Sequence, residues 1–109
     1  MSHPQFAAIV AFARRTTEMT AAEMDYSLAC DGGAGKAGRA LNEASWAIAN
    51  EGRPEAEYWG DAARERAHAL WAEVRPDFDA MVTAARAKKY LGWSDAARAR
   101  GQRIRYATN

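Results

Sequence analysis

The sequence predicts an all-α protein, a small bundle of four helices followed by a basic C-terminal helical segment. Alanine, the best intrinsic helix former, supplies 27 of the 109 residues. Valine and isoleucine together number only six, and no stretch alternates β-branched or aromatic residues with polar ones as a half-buried strand would. Apolar side chains instead recur three and four residues apart over most of the chain. At this length a single domain, residues 1–109, is expected. Leu, Ile, Val and Phe total only 13, so four Trp, four Tyr and four Met must supply much of the bulk, with alanines letting the helices approach closely around them.

The first helix is expected from about residue 4 to about residue 30. Ser2 can cap it, and Pro4 sits in the first turn, where no amide donor is missed. Phe6, Ile9, Val10, Ala13, Thr17, Ala21, Met24 and Leu28 form one stripe at a period of 3.6. Ala8, Phe12, Met19 and Tyr26 form a second. A helix apolar on two sides is central to a bundle or shared with another molecule. The run from Thr20 to Glu23 is a competing signal, a capping box that would restart the helix; the continuous stripe makes the unbroken helix the expectation.

Residues 31–38, DGGAGKAG, hold four glycines and read as a loop. A second helix, about 39–51, turns Leu41, Ala44, Ser45 and Ile48 inward and stops at Gly52. Pro54 opens a third, about 54–75, with Trp59, Ala63, Arg66, Leu70 and Val74 on its core face. Arg66 on that face calls for a carboxylate, from a neighbouring helix or from a partner protein. Pro76 separates a fourth helix, about 77–91, with Phe78, Met81, Val82 and Ala85 inward and Gly92 as its stop. Ser94 caps a fifth segment, 95 to about 106, weakened by Gly101.

Chemistry-bearing motifs are poorly formed. Gly35 and Lys36 match part of a phosphate-binding loop, but Cys30 stands where its first glycine belongs and Ala37 replaces the magnesium-binding hydroxyl. A weaker anion site survives at the second helix's free amides, beside Lys36 and Arg39. Glu65 and His68, with Asp61 a turn earlier, have the spacing of a diiron half-site; His3 is the only other histidine, so a second half cannot be assembled and the residues read as a solvated face. Cys30 lies beside Asp31, which disfavours a thiolate. No catalytic residue, cofactor or metal is expected, and the chain is not read as an enzyme. The lone cysteine excludes an internal disulfide, and the longest apolar run, residues 6–13, is far below the roughly 20 residues of a membrane span. Arg14 and Arg15 follow that run, whereas a signal peptide carries its charge in front. A cytoplasmic protein with no membrane partner is therefore expected.

Charge divides the chain. Residues 1–85 hold 13 acids against 8 Lys and Arg, whereas residues 86–109 hold 7 Lys and Arg against one acid. Arg86, Lys88, Lys89, Arg98, Arg100, Arg103 and Arg105 form this basic surface, interleaved with Tyr90, Trp93 and Tyr106, rings able to stack on bases. The turn Leu91, Gly92, Trp93, Ser94 resembles the L-G-x-S turn of helix-turn-helix proteins over about 25 residues, although Lys88 stands where that motif has a small residue. The resemblance implies nucleic-acid binding. The alternatives for the basic segment are a fold-back onto the acidic helices of the same chain and an acidic partner protein.

The leading expectation is a non-enzymatic protein-interaction module, a small helical regulator or inhibitor that occupies a partner's surface. A phage or other mobile element is an expected source for a compact protein of this kind, which would block a host nuclease complex with acids that mimic phosphates. Phe12, Met19, Tyr26, Trp46 and Trp71 are its candidate contact residues, since aromatic residues and arginines anchor interfaces most often. The doubly apolar first helix adds homodimerisation through Phe12, Met19 and Tyr26. Nucleic-acid binding through the basic segment is the rival expectation.

Overall fold

The computed structural model describes residues 2–54 and 59–91, the last three through their backbone alone. Four α-helices and one 3₁₀ turn account for most of them: α1, Phe6–Thr17; α2, Ala21–Asp31; the 3₁₀ turn, Gly32–Ala34; α3, Lys36–Ala49; and α4, Asp61–Leu91. The class is all-α, with no strand among the described residues. The expected fifth segment lies outside them.

α4 is the spine. Its 31 residues make a rod of about 46 Å at about 1.5 Å per residue, matching the 45 Å longest dimension of the described residues. α2 and α3 lie end to end along it, both antiparallel to it. On the α2 half, Asp25 pairs with Lys88 and the Ala29 carbonyl accepts from Arg86. On the α3 half, Trp46 meets His68 and Asn50 meets Ala63 and Arg66. α1 packs on α3. The core is where these faces meet: Ile9, Ala13, Met24, Leu28, Leu41, Ala44, Leu70, Val74, Phe78, Val82 and Ala85 are all buried.

Two expected boundaries are corrected. The first helix does not run through residue 20. α1 ends at Glu18, whose φ of 59° is left-handed, and Thr20 restarts the chain with a complete capping box: its hydroxyl accepts from Glu23 N–H at 3.1 Å and the Glu23 carboxylate accepts from Thr20 N–H at 3.4 Å. The stripe periodicity was compatible with either outcome, because two helices joined by a short corner also return their apolar faces inward. Conversely, the chain does not break at Pro76. The residue sits inside α4 on its exposed side, as does Ala72, whose carbonyl has no proline N–H to accept from there. Burial of Val74 and Phe78 on either side keeps the helix running.

Smaller corrections follow from caps. Ser2 is not the cap of α1; Gln5 holds that position, with Phe6 N–H donating to the His3 carbonyl. α4 starts at Asp61, with the Gly60 carbonyl accepting from Arg64 N–H, so Trp59 precedes the helix and is 71% exposed instead of lying on its core face. The N-terminal lead-in is tied to α4 by His3 N–H, which donates to Asp77 Oδ2 at 2.8 Å.

The glycine-rich stretch is a packed joint rather than an open loop. α3 begins at Lys36, three residues earlier than expected. A Cβ at Gly38 would lie 2.5–2.7 Å from the backbone Cα and C of Gly33 and closer still to the Gly32 carbonyl oxygen, so the 3₁₀ turn rests directly on the first turn of α3. Gly32 turns the chain at a φ of +56°, and its N–H caps the Leu28 carbonyl. Ser27 Oγ of α2 accepts from Ala37 N–H at 3.1 Å. That bond occupies one of the amides counted above as free for an anion.

Candidate functional site: the cleft between α3 and α4

Because α3 is antiparallel to α4, residues one turn apart on each helix face each other along a seam. Arg39, Glu43 and Trp46 follow one another at helical spacing on α3, and Trp71, Arg75 and Phe78 do so on α4. The two rows meet across a cleft of about 390 Å³ lined by Arg39, Asn42, Glu43, Trp71, Arg75 and Phe78, with Gly33 and Gly38 at one end. Phe78 is the floor, 4% exposed. The half-buried Trp71 ring is tilted against it at 5.1 Å between centroids, and the Arg75 guanidinium lies 6.0 Å from its centre. Arg75 also pairs with Asp79 at 3.0 Å, an exposed contact one turn away.

The other end of the seam is closed by a polar clamp. Asn50 is 2% exposed; its Nδ2 donates to the Trp46 and Ala63 carbonyls, and its Oδ1 accepts from Arg66 Nε at 2.7 Å. The expected carboxylate partner of Arg66 is thus replaced by an amide, which takes the Nε–H of the guanidinium without bringing in a second charge. Arg66 Nη2 is buried and has no hydrogen-bond partner among the described residues.

The candidate contact residues divide. Trp46 and Trp71 flank the seam, Trp46 standing edge-on to His68 at 6.3 Å. Phe12 and Met19 are half-buried against the core, and Tyr26 is half-buried on α2. The turn at residues 18–20 separates Phe12 from Tyr26, so these three do not form the straight dimer seam that a continuous helix would present. Of the basic residues, Arg86 Nε donates to the Ala29 carbonyl at 3.4 Å and Lys88 pairs with Asp25 at 2.7 Å. Both are turned toward α2, one at its C-terminal end, where positive charge is favoured. Lys89 belongs to α4 by its backbone; Arg98, Arg100, Arg103, Arg105 and the helix-turn-helix-like turn beyond Leu91 lie outside the described residues.

Sequence reasoning missed Arg75 altogether, took Arg39 only as a flank of the weak anion site and took Phe78 only as a core residue. The signal was present as two matched rows at i, i+4 and i+7, but a helix boundary placed at Pro76 divides Trp71 and Arg75 from Phe78 and hides the second row. Among the described residues no group of three or more His, Cys, Asp or Glu could hold a metal ion, and no helix is long and apolar enough to cross a membrane. No protein-family model, curated protein or solved structure matches the chain.

Proposed function

We propose that the chain is a non-enzymatic interaction module, a small helical regulator or inhibitor that works by occupying a partner protein's surface in the cytoplasm. The observation that supports this best is the α3/α4 cleft, where Trp71 and two arginines border a concave surface over a buried ring. Tryptophan and arginine are the residues that most often dominate binding energy when a partner shuts water out around them. The rigid scaffold helps, since both rows stand on packed helices and little ordering remains to be done on binding.

The test is retention of a protein from the source organism's extract by the immobilised chain, compared with Trp71→Ala. A species held by the parent and lost by the variant, with helical content unchanged, supports the reading. Retention indifferent to Trp71 and Trp46 overturns it. Self-association belongs to the same experiment: a mass in solution of two chains that falls to one on Phe12→Asp would make the partner a second copy.

The split of charge supports a second reading, nucleic-acid binding through the basic segment. It predicts binding to duplex DNA that weakens steeply between about 50 and 200 mM salt and is lost in a chain ending at Gly92.

A further inference from the structure

We infer that the α3/α4 cleft takes an acidic segment of a partner protein, with a carboxylate held between Arg39 and Arg75 and a neighbouring apolar side chain laid against Trp71. This rests on the interaction reading and names the partner's chemistry.

The cleft's volume of about 390 Å³ lies in the range of ligand-binding clefts, about 300–1,000 Å³. Its lining carries two arginines against one acid, Glu43. Arg39 is exposed and makes no ion pair or side-chain hydrogen bond among the described residues, and Lys36, one turn earlier on the same helix, makes none either. Across the cleft, Arg75 holds Asp79 through an exposed pair one turn away, a contact weak enough to exchange for another carboxylate. A planar guanidinium on each wall suits a carboxylate approached from both sides. Gly33 keeps the floor open: a Cβ there would stand 3.8 Å from the Phe78 ring, in ordinary contact, so larger side chains fit the backbone but fill the cleft.

Peptide is favoured over a phosphodiester strand by the remaining wall. Glu43 lines the cleft and Asp79 pairs with Arg75, and both repel a chain carrying a negative charge at every unit more than a segment with a single carboxylate. The same Glu43, with the Asn42 amide oxygen, can accept N–H groups, which a peptide backbone offers along its length and a phosphodiester backbone lacks.

The experiment pans a phage-displayed random dodecapeptide library on the full chain and measures the winning peptides, made synthetically, against Arg39→Glu, Arg75→Glu and Gly33→Leu. Circular dichroism and the thermal midpoint verify that each variant folds; Arg39 has no side-chain partner to lose among the described residues. The expected winners carry Asp or Glu beside Leu, Phe, Tyr or Trp, lose about tenfold or more in affinity on Arg39→Glu and on Gly33→Leu, and regain part of it against Arg39→Glu when their acid is exchanged for Lys. No enrichment, basic or uncharged winners, or affinities indifferent to all three variants would overturn the inference. So would an oligothymidylate probe that binds the parent and is released by Arg39→Glu, since the site would then be one for phosphate. A captured partner lost on Trp71→Ala but kept on Arg39→Glu sinks the acidic chemistry alone, whereas a partner indifferent to Trp71 and Trp46 sinks the interaction reading itself.

Discussion

Two places in the chain carry a helix-stopping signal, Thr20 and Pro76, and the backbone turns at the first while running through the second. Judged locally the outcome is unexpected, because proline in a helix interior costs about 3 kcal/mol and a threonine cap is worth about 1. The difference lies in what the flanking segments pack against. α1 rests on α3 and α2 rests on α4, so the chain must change direction between them, and the capping box supplies a low-cost place to do so. On either side of Pro76 the partner surface is continuous, because α2 and α3 are laid end to end along α4. Breaking α4 would strip Val74, Phe78 and Val82 from that surface.

If continuity of the buried stripe holds α4 together, its loss beside the proline should have the largest effect. Phe78→Ala removes the ring that packs under Trp71 and over which Gly33 lies, and should cost about 3–5 kcal/mol. Chemical denaturation measures it; a loss under about 1 kcal/mol would mean that α4 persists through Pro76 for another reason. Gly38→Ala tests the other half of the argument, the joint that lets α2 and α3 share one line. The added methyl meets backbone, which cannot rotate away, and overpacking of this kind costs about 1–3 kcal/mol even though alanine is the better helix former. A neutral or stabilising result would show that the 3₁₀ turn has room to shift.

Pro76→Ala should act in the opposite direction. It restores the amide that can donate to the Ala72 carbonyl and removes a ring from a helix interior, and even after the greater freedom of the unfolded chain is discounted, a gain of about 1–2 kcal/mol is expected. A decrease in thermal midpoint would mean that the proline sets a bend on which the packing depends.

These outcomes bear on what could be read from sequence. Much of the inward face was legible: Ile9, Ala13, Met24, Leu28, Leu41, Ala44, Ser45, Ala63, Leu70, Val74, Phe78, Val82 and Ala85 are buried, whereas Phe6, Val10, Thr17, Ile48, Arg66 and Met81 are only half-buried and Ala21 and Trp59 are exposed. The helix boundaries were not, because a stripe at 3.6 residues reports which side of a helix is covered and is silent about how many bodies cover it. Gly38 was legible only as part of a glycine-rich loop; that its hydrogen faces the backbone of Gly32 and Gly33 is a long-range fact of the joint. The cleft failed for the same reason. Its arginines look like surface residues on each helix taken alone and become a site only once the antiparallel pairing of α3 with α4 brings the rows together.

The smallest expected effect lies at the corner itself. Thr20→Ala removes the hydroxyl that accepts from Glu23 N–H and leaves that amide to water, for a cost of about 1 kcal/mol. The corner should nevertheless survive, because it has a second anchor on the α1 side: Thr17 Oγ1 donates to the Ala13 carbonyl at 2.7 Å and accepts from Met19 N–H at 3.3 Å, and Glu18 is already left-handed. Amide hydrogen exchange separates the two possibilities. Faster exchange confined to the first turn of α2 is the result expected of a cap on a corner dictated by packing. Protection appearing at residues 18–20, as in a continuous helix, would show instead that the capping box alone decides where the chain turns, and that α1 and α2 are one helix held bent by a single threonine.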